Sequence, residues 1–159
     1  MKKIDLGQSI GILANLGVIA GIIFLGIEIN QANQAARSQA RTDIATSIAE
    51  LNASFADNAE LAEIFLRGLP NPDSLTALER LRVSSYMSAL LRLWENTHYQ
   101  YRNGLFDEVE FFAEREAWKT IVQSPLFVVY FCAVGSVFSP MFSQEIENLM
   151  QPLQCPVAE

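Results

Sequence analysis

The longest apolar stretch of the chain lies near its amino terminus. From Ile10 to Ile27 there are 18 consecutive residues without a charge. A helix of that length reaches roughly 27 Å at about 1.5 Å per residue, close to the ~30 Å hydrocarbon thickness of a bilayer. The stretch is apolar on every side rather than along one stripe, so a small domain would have to surround it completely. We therefore predict a transmembrane helix within residues 1–30, preceded by a short N-terminal tail.

Two other interpretations of this stretch stay open. Lys2 and Lys3 suit a cleaved secretory signal, but Asp5 is unusual in one, and no small-x-small cleavage site follows before Glu28. A buried helix of a soluble core is the second alternative. Both are less favoured than a span.

Small residues are concentrated on one side of the predicted span. At about 100° per residue, five of them fall within an arc of roughly 120°. They are Gly7, Gly11, Ala14, Gly17 and Gly21. In lipid such a face lets two helices approach and gain van der Waals contact. We expect a helix–helix interface with a second copy or a partner helix, although glycine is also common in membrane helices without this role.

Polar residues follow the span directly. Glu28 lies on the same arc as the glycines, and Asn30 and Gln31 come next along the chain. If copies of the chain form a ring, these three side chains would line the polar mouth of a pore.

The remaining chain is predicted to form helices separated by turn formers. Ile44, Ile48, Leu51 and Phe55 keep a spacing of three to four, so the first helix should continue beyond the membrane and bury one stripe. The start and stop signals of the later helices are Asp57 and Asn58 with Gly68, Thr76 with Glu79, Asp107 with Glu110, Ser124-Pro125 and Ser139-Pro140. No strand pattern competes, so the predicted fold is all-α. It consists of a transmembrane helix that continues into a small helical bundle domain at 31–150, with an irregular tail at 151–159.

Apolar positions in the later helices indicate the core of that domain. They are Leu78, Leu81, Leu90, Leu93, Trp94, Thr97 and Tyr101, followed by Phe111, Phe112, Trp118, Ile121 and Val122. A second apolar run, Leu126 to Phe138, is too short for a span because helix starts at Pro125 and Pro140 limit it to about 14 residues. We interpret it as a core helix or an oligomer contact, with burial in the membrane interface as the alternative.

The charge and the cysteine content limit the classes of partner and of metal site that the chain can have. The net charge is −7, with only 11 Lys and Arg residues, which argues against a nucleic-acid partner. Cys132 and Cys155 form neither a disulfide framework nor a metal-binding spacing. Cys132 is expected to be a core hydrophobe, and a bridge between the two requires an oxidising compartment, so their pairing stays open.

One constellation carries potential metal chemistry. Glu95 and His98 form an E-x-x-H pair, which in di-iron helical bundles supplies two ligands from one helix face. Such sites need the motif twice, and His98 is the only histidine, so a metal-dependent enzyme would require copies meeting across an interface. No Ser-His-Asp set or phosphate-binding glycine loop is present in the sequence. The case for an enzyme is weak, and we predict no cofactor.

Three segments, "GVIAGIIFLGIEINQANQAARSQA", "LLRLWENTHYQYRNGLFDEVEFF" and "SPLFVVYFCAVGSVFSPMFSQEIENLM", give the chain a family resemblance. It resembles a widespread group of small proteobacterial proteins of unknown function. These carry an N-terminal span, a central W-E-N-x-x-Y-Q-Y-x-x-G-L segment and a late S-P-x-F helix start. The resemblance implies a bacterial inner-membrane protein and directs attention to the central segment, Trp94, Glu95, Asn96, Tyr99, Gln100 and Tyr101. The chain departs from the pattern at Glu28, where the group usually has Arg, and at His98, where it often has an aromatic residue.

Taken together, the sequence predicts a single-pass protein of the bacterial inner membrane with a structural or interaction role. Its partners would be the lipid bilayer and either copies of itself or a larger membrane complex, of which it would be an accessory subunit. A small pore and a metal-dependent enzyme are the alternatives. Lys2 and Lys3 before the span balance Arg37 and Arg41 after it, so the side occupied by the helical domain stays undetermined.

Overall fold

The computed structural model describes residues 6–153 and 155, and this part of the chain is helical throughout its regular structure, without a strand. The α-helices are α1 (Leu6–Ala56), α2 (Ala59–Gly68), α3 (Ala77–Arg102), α4 (Glu108–Val122), α5 (Pro125–Val134) and α6 (Pro140–Met150). Short 3-10 turns occupy Pro72–Ser74 and Gly135–Val137. The predicted all-α class, with an apolar N-terminal helix leading into a helical domain, is confirmed.

The chain divides into two compact units, the first ending at Gln39 and the second beginning at Ala40. In the first unit, every large apolar side chain of α1 from Ile10 to Ile29 is 53–68% exposed. Within the described residues, α1 is the one helix that by itself is long and apolar enough to cross a membrane. The alternative of a cleaved signal depends on Lys2, Lys3 and Asp5, and these residues lie outside the described residues.

The second unit has its core between the carboxyl-terminal part of α1 and helices α2 to α6. Ile44 is fully buried, while Ile48, Leu51 and Phe55 are partly buried against the core. The predicted stripe of α1 is therefore confirmed. Of the predicted tail at 151–159, the structure describes only 151–153 and 155.

Local capping signals explain where most helices begin. The Asn58 side chain accepts the Leu61 N–H, and Thr76 with Glu79 forms the predicted capping box. Each of these bonds satisfies a backbone donor that has no partner within its helix. The box predicted at Asp107 forms only in part, because Asp107 accepts the Val109 and Glu110 amides while the Glu110 carboxylate pairs with Arg41 at 2.6 Å.

The predicted core of α3 needs one correction. Leu78 and Leu81 are 67% and 64% exposed rather than buried. The inward stripe of this helix runs through Val83, Met87, Leu90, Leu91, Trp94, Thr97 and His98. At about 100° per residue, Leu78 and Leu81 lie on the opposite side of the helix from that stripe. Phe112 of α4 was also expected in the core and is exposed.

The second apolar run forms the core helix α5, as its length predicted. Leu126, Phe127 and Phe131 are buried, whereas Val129 on the other side is exposed. Helices α4 and α5 would reach the length of a span only as a pair bent by 101°. The run therefore supplies core packing within the domain.

Candidate functional site

The small-residue face of α1 is open along its length. Gly7, Gly11, Ala14, Gly17 and Gly21 are all exposed. Apart from the adjacent turns of its own helix, a Cβ atom added at Gly11, Gly17 or Gly21 would meet no heavy atom of the described chain within 4 Å. This face is therefore available to lipid or to another helix, and its role as a helix–helix interface stays a prediction.

The polar residues that follow the apolar segment are also exposed. Glu28, Asn30 and Gln31 continue α1 without interruption. Their exposure is compatible with solvent, with headgroups or with a second chain, so the polar mouth stays a prediction.

Two aromatic residues of the central segment, Trp94 and Tyr101, pack in the core of the second unit. The Trp94 ring stacks on Trp118, with ring centroids 5.0 Å apart and planes 16° from parallel. The Tyr101 ring stacks on Phe111 at 4.1 Å between centroids. Stacked pairs of this kind add stabilisation beyond the apolar area they bury. These two members of the segment hold α3 against α4.

Glu95 connects α3 to the start of α6. One carboxylate oxygen accepts the backbone N–H of Ser139 at 2.6 Å, and the other accepts from Arg92 Nη1, also at 2.6 Å. Ser139 precedes Pro140 at the N-terminus of α6, and its own hydroxyl makes no capping bond there. A negative charge is favourable at that end of a helix because the unpaired amides carry partial positive charge. Glu95 thus satisfies the amide of the N-cap residue itself, a different donor from the ones that a Ser139 hydroxyl would cap.

The surroundings of Glu95 shift its pKa. Burial is the largest influence and opposes ionisation, but the Ser139 N–H and the Arg92 guanidinium together outweigh it. The net effect lowers the pKa of Glu95 below its ordinary value of 4.5. Arg92 also donates to the Val137 carbonyl at 3.3 Å and lies over the Phe138 ring at 4.4 Å. Arg92 and Glu95 therefore join α3 to the turn before α6.

His98 lies in an aromatic environment. Its ring centroid is 5.9 Å from those of both Phe111 and Phe142, and the residue is buried. Burial lowers the pKa of His98, and it prevails over the nearby Glu145 carboxylate, which raises it. Across residues 6–153 and 155, no three or more His, Cys, Asp or Glu side chains are grouped as metal ligands. Glu95 and His98 are each occupied by protein contacts in this fold.

The other members of the central segment lie nearer the surface. Asn96 and Tyr99 are exposed, and the Gln100 side chain donates to Asn96 Oδ1 at 3.4 Å. Asn96 and Tyr99 are the members of this segment most accessible to another molecule.

The two cysteines form a disulfide, which sequence reasoning had left open. Cys132 in α5 is bonded to Cys155, with their Cα atoms 5.3 Å apart and a separation of 23 positions in sequence. The bridge ties the chain beyond α6 back to α5. From its apolar neighbours, the sequence predicted only that Cys132 is a core residue. The pairing could not be predicted, because no local feature of the sequence indicates that Cys155 lies beside it. Disulfides of this structural kind persist in oxidising compartments.

Comparison with protein-family models, with curated proteins and with solved structures finds no match. The resemblance drawn from the three sequence segments is left as a prediction.

Proposed function

We propose that this protein is a single-pass component of the bacterial inner membrane with a structural or interaction role. In this proposal α1 crosses the bilayer and its glycine face contacts a second copy or a helix of a larger membrane complex. The domain that begins at Ala40 lies on the oxidising, periplasmic side. The observation that carries the proposal is the exposure of the whole apolar segment of α1.

Magnitudes support a lipid environment for this segment. Twelve large apolar side chains from Ile10 to Ile29 are exposed. At about 1.5–3 kcal/mol for each side chain transferred from water, their complete burial is worth on the order of 20–35 kcal/mol. A whole domain is stable by only about 5–15 kcal/mol. The free energy gained by covering this helix therefore exceeds the folding free energy of a typical domain, so lipid or protein should cover it.

The disulfide supports the choice of side. Charges flanking the span do not decide the orientation, because Lys2 and Lys3 precede it and Arg37 and Arg41 follow it. A bond between Cys132 and Cys155 would be reduced by cytosolic thiols but retained outside the cytoplasmic membrane. An N-terminus in the cytoplasm and a periplasmic domain satisfy both observations.

A thiol-trapping experiment tests this orientation. Cells expressing the full chain are quenched with acid, and free thiols are reacted with a maleimide-polyethylene glycol. The chain has two cysteines, so we expect no added mass without prior reduction and two added groups after it. Two groups attached without reduction would place the domain in the cytoplasm and contradict the proposed side.

Substitution of the glycine face tests the association. We expect the double variant Gly17→Ile, Gly21→Ile to reduce the assembly to a smaller species when the protein is sized in mild detergent. The matched control is Gly26→Ile, which also meets open space but lies outside the arc of the other glycines at about 100° per residue. An assembly unchanged by the double variant would remove the proposed interface.

A further inference from the structure

We propose that a groove between α3 and α5 binds a zwitterionic single-chain lipid, of the type in which a phosphate and an ammonium share one headgroup. The groove has a volume of about 670 Å³, within the range of roughly 300–1,000 Å³ typical of small-molecule sites. It lies entirely within the unit that begins at Ala40, and the inference does not depend on the side of the membrane that this unit occupies.

The two walls of the groove differ in chemistry. Helix α5 contributes a mainly apolar wall with Leu126, Val129, Ala133 and Val134, together with Tyr130. Helix α3 contributes Arg80, Ser84 and Ser88, which are four residues apart and so lie on one side of the helix. One apolar wall beside one polar wall matches a molecule with a hydrocarbon chain and a polar head.

Two opposite charges line the groove without protein partners. Arg80 and Asp73 both belong to its lining. Within the described residues neither takes part in an ion pair, whereas the neighbouring Arg67 and Arg82 are paired with Glu79 and Glu60. A headgroup that carries one negative and one positive charge would complement both side chains at once.

Hydroxyl groups add hydrogen-bonding capacity beside Arg80. The Ser85 hydroxyl donates to the Leu81 carbonyl of its own helix. In the described chain, by contrast, the hydroxyls of Ser84 and Ser88 have no partner, so both are free to bind phosphate or ester oxygens. A fatty acid would pair its carboxylate with Arg80 and leave Asp73 without a positive partner. A cationic amphiphile would pair with Asp73 and leave Arg80 without a negative partner. A zwitterion with one hydrocarbon chain complements both charges and the apolar wall.

Photolabelling of the full chain in phosphatidylcholine nanodiscs tests the proposal. The probe is a lysophosphatidylethanolamine with a diazirine in its acyl chain, and labelled peptides are identified by mass spectrometry. Labelling of α1 reports partition into the bilayer and serves as the internal reference for labelling of α5. We expect a high ratio of α5 to α1 labelling, which excess unlabelled lysophosphatidylethanolamine abolishes.

Headgroup recognition is tested by removing one charge at a time. Loss of one charge-assisted bond should lower the α5 labelling roughly tenfold, so Arg80→Gln and Asp73→Asn are both expected to do so. The matched control is Arg102→Gln in the same helix, because Arg102 is exposed, forms no ion pair in the described residues and does not line the groove. A palmitate probe should label wild type weakly. Equal labelling by palmitate, or no effect of Arg80→Gln, would overturn the proposal.

The apolar wall is tested with a pair of exposed valines. Val129 lines the groove and is 60% exposed, while Val109 in α4 is 77% exposed and lies away from it. We expect Val129→Glu to abolish α5 labelling and Val109→Glu to leave it unchanged, with both variants folded by their tryptophan emission. If Val129→Glu instead dissociates an oligomer without changing lipid labelling, the groove accommodates a second copy and the proposal is wrong.

Discussion

Removal of the Glu95 carboxylate should detach the start of α6 from α3. In the native domain this group accepts the Ser139 amide at 2.6 Å across 44 residues of sequence. The substitution Glu95→Ala leaves that amide at a helix N-terminus without its acceptor, and it leaves Arg92 without its carboxylate. Glu95→Gln keeps an oxygen in place but removes the charge.

The Ser139 bond should dominate the loss. A hydrogen bond to a charged group contributes about 1.5–3 kcal/mol. The side chain of Arg92 is 53% exposed, and such surface ion pairs contribute only about 0–1 kcal/mol. We therefore expect Glu95→Ala to lower the free energy of unfolding by about 2–3 kcal/mol. Glu95→Gln should cost about 1 kcal/mol, because neutral hydrogen bonds are roughly half as strong.

Thermal unfolding followed by tryptophan emission provides the assay. The two tryptophans, Trp94 and Trp118, stack on each other in the core, so their emission reports on this domain alone. At about 4 °C per kcal/mol for a domain of this size, Glu95→Ala should lower Tm by about 8–12 °C at pH 7.

The pH dependence has a defined sign. Folding lowers the pKa of Glu95, so its stabilisation is complete above the unfolded value of 4.5 and is lost as pH falls through the folded pKa. Wild type and Glu95→Gln should therefore differ by a constant amount from pH 7 to 5.5 and converge below pH 4.5. Glu116→Ala is the matched control, because Glu116 pairs with Lys119 on an exposed surface without contacting a helix terminus. A Glu95→Ala domain as stable as Glu116→Ala would refute this assignment of the cap.

Three further substitutions test other contacts of the domain. Cys155→Ser should lower the free energy of unfolding by about 3 kcal/mol, from the loop entropy of a 23-residue separation, and reductant should lower Tm of wild type equally. His98→Phe should unfold at a higher Tm than wild type as pH falls from 7 to 5, because burial lowers the pKa of His98 and protonation favours the unfolded chain. Gly68→Ala should cost about 1–3 kcal/mol, because its Cβ would lie 2.7 Å from Leu75 Cδ1 in the buried core.

A specific experimental result would contradict each of these three expectations. A Tm unaffected by reductant would show that the bridge between Cys132 and Cys155 adds no stability. A pH profile of His98→Phe parallel to that of wild type would mean that the imidazole protonates without cost. Gly26→Ala is the control, because its added Cβ meets open space and we expect wild-type stability. If Gly68→Ala also has wild-type stability, Leu75 moves aside freely.

Local chemistry in the sequence determined most of the helix boundaries. The Thr76 and Glu79 capping box, the Asn58 cap of α2, the Ser124 cap of α5 and Pro140 at the start of α6 act within one turn of the chain. The apolar segment of α1 is equally local, because it is apolar on every side. Each of these features could therefore be predicted from neighbouring residues alone.

Only the tertiary structure decided which side of α3 faces the core. Leu78 and Leu81 are apolar at helical spacing, yet they lie opposite the stripe of Val83, Met87 and Trp94 that the other helices cover. Periodicity identifies a face, but it does not identify the neighbour that buries it.

Contacts between residues that are distant in sequence could likewise not be predicted from the sequence. The bond from Ser139 to Glu95 and the bridge between Cys132 and Cys155 each join positions that only folding brings together. The groove of α3 and α5 depends on the same packing, because its polar and apolar walls belong to helices separated along the chain. Spacing along one helix determines which side chains share a face, whereas the packing of the helices determines what those side chains meet.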